Sequence, residues 1–234
     1  MFEWLLASID QSRAHDIGFE VSWHARSMVL AWSVVIPLGI ISARFFKVLP
    51  SQDWPNTLDN QVWWHVHRTF QYLGGVLMFF GVWLIWDVSG QKPNGFLHQL
   101  MGWTTIILCG VQYTAAWLRG SKGGPTEPEL RGDHFDMTRR RVVFEYLHKT
   151  VGYVCLITSL IAVFSGLWIA NAPHWMWIAL IAWWIILIFV FSKLHKKIGA
   201  IDTYQAIWGN DPDLPGNKKQ PIGVHVKRIN DKAE

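Results

Sequence analysis

The chain has 234 residues, of which 51% are hydrophobic and 16% charged, with 16 tryptophans and a formal net charge of +4. A helix needs about 20 mostly apolar residues to cross the ~30 Å hydrocarbon core of a bilayer. Five stretches of that length take up nearly all the apolar content, which excludes a separate soluble domain and gives no reason to expect a nucleic-acid partner. The composition predicts an all-α integral membrane protein. A transmembrane domain at 23–195 is preceded by an amphipathic segment at 1–22 and followed by a polar tail at 196–234.

In chain order, Phe2, Trp4, Leu5, Leu6 and Ile9 predict a short amphipathic helix lying in the interface. Glu3 and the lack of a basic leader or small-residue cleavage site set this start apart from a secretory signal. The first span, 24–46, holds Pro37, which has no amide to donate and predicts a bend near Ile36. A polar connection at 50–60 with two prolines leads to the second span, 63–86. A short Gly/Pro turn at 89–95 leads to the third span, 98–118. The longest internal loop, 119–141, contains Gly123-Gly124-Pro125, and the fourth and fifth spans follow at 144–169 and 175–194. The tail, broken by Pro212, Pro215 and Pro221, predicts an extended, loosely packed segment in which Tyr204, Ile207 and Trp208 offer apolar docking points. Most tryptophans stand near span ends, as an aromatic belt requires. Cys109 and Cys155, mid-span on different helices, predict buried thiols rather than a disulfide.

The basic residues are unevenly placed. Arg44, Lys47 and Arg68 flank the first connection, seven Lys or Arg side chains from Arg119 to Lys149 crowd the third, and Lys193, Lys196 and Lys197 follow the last span. The second connection has only Lys92, and 171–174 has neither Lys nor Arg. The positive-inside rule then predicts a multi-pass protein of the cell (inner) membrane with the N-terminus outside and the C-terminus in the cytoplasm.

Four histidines, His24, His67, His98 and His148, begin four different spans. An ionisable, metal-liganding side chain at bilayer depth is costly and marks a functional site. Spans one and three run the same way, so His24 and His98 start at the outer face. Spans two and four run the other way, so His67 and His148 start at the inner face. A four-helix bundle of the first four spans sets alternate helices across from one another, and each pair then clamps one flat cofactor. Bis-histidine ligation of heme iron suits that arrangement and favours electron transfer, because two imidazoles leave no open position on the metal. Gly102 and Gly152 follow His98 and His148 by four residues, on the same helix face, and open slots for a porphyrin plane. His65 lies about 200° around the helix from His67, so only one of them faces the core.

These residues resemble a family. Trp23-His24-Ala25-Arg26-Ser27-Met28 with Pro37-Leu38-Gly39 and Ala43-Arg44, then His67 with Gln71, His98 with Gly102 and Gln112, and His148 with Gly152-Tyr153, resemble the four core helices of the eukaryotic-type cytochrome b561 family. The likeness runs over about 22–195 and is nearest to the core of members fused to DOMON domains, here without that domain. It implies two b hemes, with His24 and His98 as axial ligands of one iron and His67 and His148 of the other. It also implies transmembrane electron transfer, often in a homodimer. Ascorbate-reducing members have six spans where this sequence has five, and basic residues before both inner ligands. Here Arg139, Arg140 and Arg141 can form an anionic-substrate site before His148, whereas Trp63, Trp64 and His65 precede His67. Arg26 and Arg68, next to ligand histidines, are candidates to pair with heme propionates.

Three functions compete at this level. The first is a transmembrane oxidoreductase passing electrons between a reductant such as ascorbate, or a separate periplasmic or extracellular redox protein, and an acceptor on the other side, with ferric-reductase-like activity. The second is the cytochrome b membrane anchor of a dehydrogenase that exchanges electrons with quinone. The third is a heme-free transporter or structural membrane protein, for which acidic partners within the spans would be expected; Asp87 and Glu145 stand only at span ends.

Overall fold

The computed structural model describes residues 2–88, 95–123 and 131–229; residues 89–94 of the turn expected at 89–95, and Gly124-Pro125 of the long loop, lie outside them. The elements are α1 (Phe2–Leu6), α2 (Phe19–Phe45, with a π-helical turn at Leu30–Val35), α3 (Val62–Leu84), α4 (Phe96–Trp117), α5 (Asp133–Asp136), α6 (Arg139–Ile169), α7 (His174–Lys197), β1 (Ala200–Ile201), α8 (Thr203–Trp208) and β2 (Val226–Lys227). Each predicted span is a helix. By length and composition α2, α6 and α7 can cross a membrane. The 23 residues of α3 and 22 of α4 are long enough, at about 1.5 Å each, but are diluted by His65, His67, Arg68 and Gln71 in one and His98, Gln99, Thr104, Thr105 and Gln112 in the other. The helices hold large apolar side chains outward, among them Phe79 (74% exposed), Ile107 (65%) and Ile188 (62%). Water would penalise such surfaces and lipid suits them. The protein is an integral membrane protein.

The backbone divides into two compact units. The first gathers Met1–Gly39, Thr69–Ile107 and Cys155–Ser192, and the second Ile40–Arg68, Leu108–Val154 and Lys193–Glu234. In the first unit, Pro37 closely follows the π-helical turn of α2. It has no amide for the carbonyl of Ser33, four residues earlier, and the turn before it is π-helical, with Ile36 N–H bonding to Ala31. The indole N–H of Trp183 on α7 donates to that Ser33 carbonyl at 2.6 Å. Ile36 itself lies where Gly74 leaves room, since a Cβ on Gly74 would stand 2.5 Å from its Cγ1. Of the N-terminal amphipathic segment, only α1 is helical before Phe19. The loop after it is pinned by buried Asn171, which accepts from the Asp10 amide (3.0 Å) and donates to the carbonyls of Asp10 (3.0 Å) and Arg13 (2.6 Å).

The second unit corrects the expectation of an extended tail. Residues 198–229 fold back as a cap. Gly199, at φ +74°, ends α7, β1 pairs in parallel with β2, and Asp202 caps α8 by accepting from the Tyr204 amide. Tyr204, Ile207 and Trp208 do dock, forming with Met137 and Ile222 a buried cluster against Trp63, Phe135 and Val142. Sequence composition misses the remaining contacts because the tail binds through backbone carbonyls. Arg44 donates to Val224 (2.9 Å), Lys47 to Ile201 (2.9 Å) and Lys149 to Ile222 (2.6 Å). Both cysteines are buried thiols, and they are not joined in a disulfide.

Candidate functional site: two facing histidine pairs

The first unit brings His24 of α2 and His98 of α4 together, with ring centroids 6.0 Å apart and planes at 85°. The second does the same for His67 of α3 and His148 of α6, at 6.2 Å and 86°. His65 is exposed on the far side of α3. The spacing is informative. A metal bound at about 2.0–2.1 Å from each of two imidazole nitrogens, themselves about 1.2 Å from their ring centres, would set the centroids about 6.4–6.6 Å apart if the ligands opposed each other. Both pairs lie within about half an ångström of that range.

In the first pair the ring orientation is fixed from behind. His24 Nδ1 lies 2.8 Å from the Gly81 carbonyl and His98 Nδ1 lies 2.8 Å from that of Ala162. A carbonyl only accepts, so each Nδ1 carries the proton and each Nε2 keeps its lone pair for a metal. The two rings open onto one cavity with Met28, Trp32, Val82 and Gly102 in its wall. A Cβ on Gly102 would meet nothing within 4 Å, so this glycine faces open space, as a slot for a planar group requires. Among the described residues, no three His, Cys, Asp or Glu side chains converge on a point.

Other expected residues are placed differently. Gly152 is not open: a Cβ there would meet the Gln112 amide nitrogen at 3.2 Å, and that amide donates to the His148 carbonyl at 2.8 Å. Phe144 stacks on the His148 ring at 5.1 Å. Arg26 is exposed and folds over the Trp23 ring (5.2 Å), and Arg68 is exposed beside Trp64 (6.0 Å), on which Arg119 stacks at 4.2 Å. The run 139–141 does not act as one cluster. Arg139 is exposed, Arg140 donates to the Leu118 carbonyl (2.7 Å), and buried Arg141 pairs with Glu145 (3.1 Å), which also binds Lys149 (2.7 Å).

Sequence reasoning overlooked Gly81 and Gly166. A Cβ on Gly81 would lie 3.2 Å from Met28 Cε, and one on Gly166 would lie 3.0 Å from Cε1 and 3.1 Å from Nδ1 of His98. The available signal was a glycine inside an apolar helix, which costs about 1 kcal/mol against alanine and therefore marks a close approach.

No protein-family model matches the chain, and no solved structure matches it. Curated relatives do. A cytochrome b561, DM13 and DOMON domain-containing protein of Arabidopsis thaliana is 31% identical over 148 residues, 62% of this chain and 14% of the relative. Ferric-chelate reductase 1 of Bos taurus is 25% identical over 191 residues, 76% of this chain and 29% of the relative. A second Arabidopsis thaliana protein, a cytochrome b561 and DOMON domain-containing protein, is 26% identical over 150 residues, 63% of this chain and 32% of the relative. The chain thus spans less than a third of the length of each of these relatives. Histidines paired across helices in both units, in a membrane protein whose relatives carry this name, lead to one conclusion: the chain is a homologue of proteins named cytochrome b561, similar to them over roughly two thirds of its own length.

Proposed function

We propose that the chain carries electrons across a membrane through two b hemes, one held by His24 and His98 and the other by His67 and His148. The observation that carries this reading is the near-identical geometry of the two pairs, at 6.0 and 6.2 Å with planes close to perpendicular. Heme b, when bound, supplies a one-electron iron couple. The chain's own residues do the rest. The Gly81 and Ala162 carbonyls hold the first two imidazoles in the tautomer that presents Nε2. Gly102 leaves the cavity wall free, and apolar side chains such as Val82 and Trp32 exclude water from it. Arg26 and Arg68, exposed and close in sequence to ligand histidines, are the cations proposed to pair with propionates.

In this reading all five long helices span the bilayer, the first four form the cofactor bundle, and the N-terminus lies outside with the folded tail in the cytoplasm. The relatives named ferric-chelate reductase support a chelated ferric ion as the terminal acceptor. Difference spectra and a pyridine hemochromogen count on the purified protein test the proposal. Two low-spin b hemes per chain are expected, with one remaining in His98→Ala and one in His148→Ala. A single heme in the wild type, or the same heme missing from both variants, would refute it. Cysteine-accessibility labelling at positions 3 and 218 tests the orientation.

A further inference from the structure

Two histidines outside the pairs above also meet. His195 stands in the last turn of α7 and His225 in the tail, with ring centroids 6.0 Å apart and planes at 64°. Chain topology brings them together. Gly199 ends α7, and the parallel register of Ala200 with Val226 returns residue 225 to the end of the helix. The turn that carries His225 is held at two points, because Lys149 donates to the Ile222 carbonyl (2.6 Å) and Arg44 to that of Val224 (2.9 Å). His225 itself has φ +50°, a left-handed conformation that a residue with a Cβ adopts at a cost. The residue is exposed, so core packing does not offset that cost, and such conformations gather at ligand sites.

The spacing fits a shared ion. With each nitrogen about 2.0–2.1 Å from a metal, ring centroids lie about 5.2–5.4 Å apart at a tetrahedral angle and about 6.4–6.6 Å apart when opposed. The observed 6.0 Å falls between these limits. Among the described residues no third His, Cys, Asp or Glu joins the pair, which leaves the ion's other positions to water. Two imidazoles without a carboxylate select late transition ions over Mg²⁺ and Ca²⁺. The C-terminal end of α7 favours positive charge. Lys196 and Lys197 on that turn are exposed, where water and salt screen them.

We propose that His195 and His225 form a site for a divalent late transition-metal ion, of the Zn²⁺, Cu²⁺ or Ni²⁺ class, that staples the folded tail to the end of α7. This site is independent of whether the helices hold heme. An ion bound by both rings is lost when the tail lifts, so its binding free energy adds to closure.

Zinc titration of the full chain, purified in nanodiscs without a histidine tag, tests the site. Calorimetry should show a Zn²⁺ site in the wild type that is lost in His195→Ala and in His225→Asn alike; Asn keeps the left-handed backbone but not the imidazole. The site should persist in His65→Ala and in excess Mg²⁺. Hydrogen exchange of the Asp202 amide, which bonds to the Lys227 carbonyl, should slow about 100-fold in the wild type when free Zn²⁺ stands about a hundredfold above its Kd. It should not respond in His225→Asn. Zinc binding that survives either histidine variant would overturn the site. Unaltered exchange in the zinc-saturated wild type would overturn the staple. If His195→Ala does not fold, His225→Asn on the exposed turn still decides.

Discussion

Lys47 gives the sharpest test of the folded tail. It is only 7% exposed, and its Nζ donates to the Ile201 carbonyl in β1 at 2.9 Å. Burial, reinforced by Lys149 and Arg44 and opposed by Glu145 and Asp202, pulls its pKa down from 10.5 to about 7. When the tail lifts away, the ammonium regains water and its ordinary value. Between about pH 7 and 10.5 the closed form therefore binds fewer protons than the open one. Closure strengthens as pH rises through that window and weakens as pH falls, by about 1.4 kcal/mol per pH unit. The accumulated loss is about 5 kcal/mol at pH 7 and does not grow below it. Lys47→Met removes the charge but leaves the Ile201 carbonyl unpaired at about 1–3 kcal/mol, so closure should gain about 2–4 kcal/mol at neutral pH. Hydrogen exchange of the Asp202 amide, which bonds to the Lys227 carbonyl, reads the opening. After correction for intrinsic rates, protection should rise about tenfold per pH unit from 7 to 9 in the wild type and stay flat in the variant. A flat wild-type profile, or lower protection in Lys47→Met at pH 7, would refute the reasoning.

Two further predictions concern the same unit. Burial, with Arg141 adding to it, pulls His134 down to about 3, so the closed form resists protonating it. Stability of the Tyr204–Trp208 contact should fall as pH drops from about 6.5 toward 3, and His134→Phe should remove that acid-side loss in hydrogen exchange of 203–208. Glu145→Gln leaves Arg141 and Lys149 without their shared carboxylate. A loss of about 3–5 kcal/mol is expected, read as a lower thermal midpoint; an unchanged midpoint would refute it.

Much of the site is legible in the sequence because helix geometry is rigid. A step of 100° per residue lets only one of His65 and His67 face the core, and opposite helix directions set His24 with His98 and His67 with His148. Gly102 opens a slot as its spacing from His98 requires. Gly152 does not, because spacing along one helix says nothing about what a neighbouring helix inserts, and the Gln112 amide takes that space. The tail was illegible for a different reason. Arg44, Lys47 and Lys149 are held by the carbonyls of Val224, Ile201 and Ile222, and every residue type has the same carbonyl. A polar composition with three prolines therefore conceals a folded segment. Arg141 reads in the sequence as part of an anionic-substrate site with Arg139 and Arg140, although Glu145 four residues on is its partner across one helical turn.

The bond from Trp183 to Ser33 bears on how a lone apolar helix finds its place. Lipid satisfies the surface of α7 equally well at any rotation about its axis, so hydrophobicity alone leaves its azimuth free. An unpaired carbonyl in hydrocarbon is costly, and Pro37 creates one at a single height and bearing on α2. By filling that vacancy at 2.6 Å, one indole turns a greasy cylinder into a part with a defined dial setting. A proline usually regarded as a flaw in a helix serves here as the keyway.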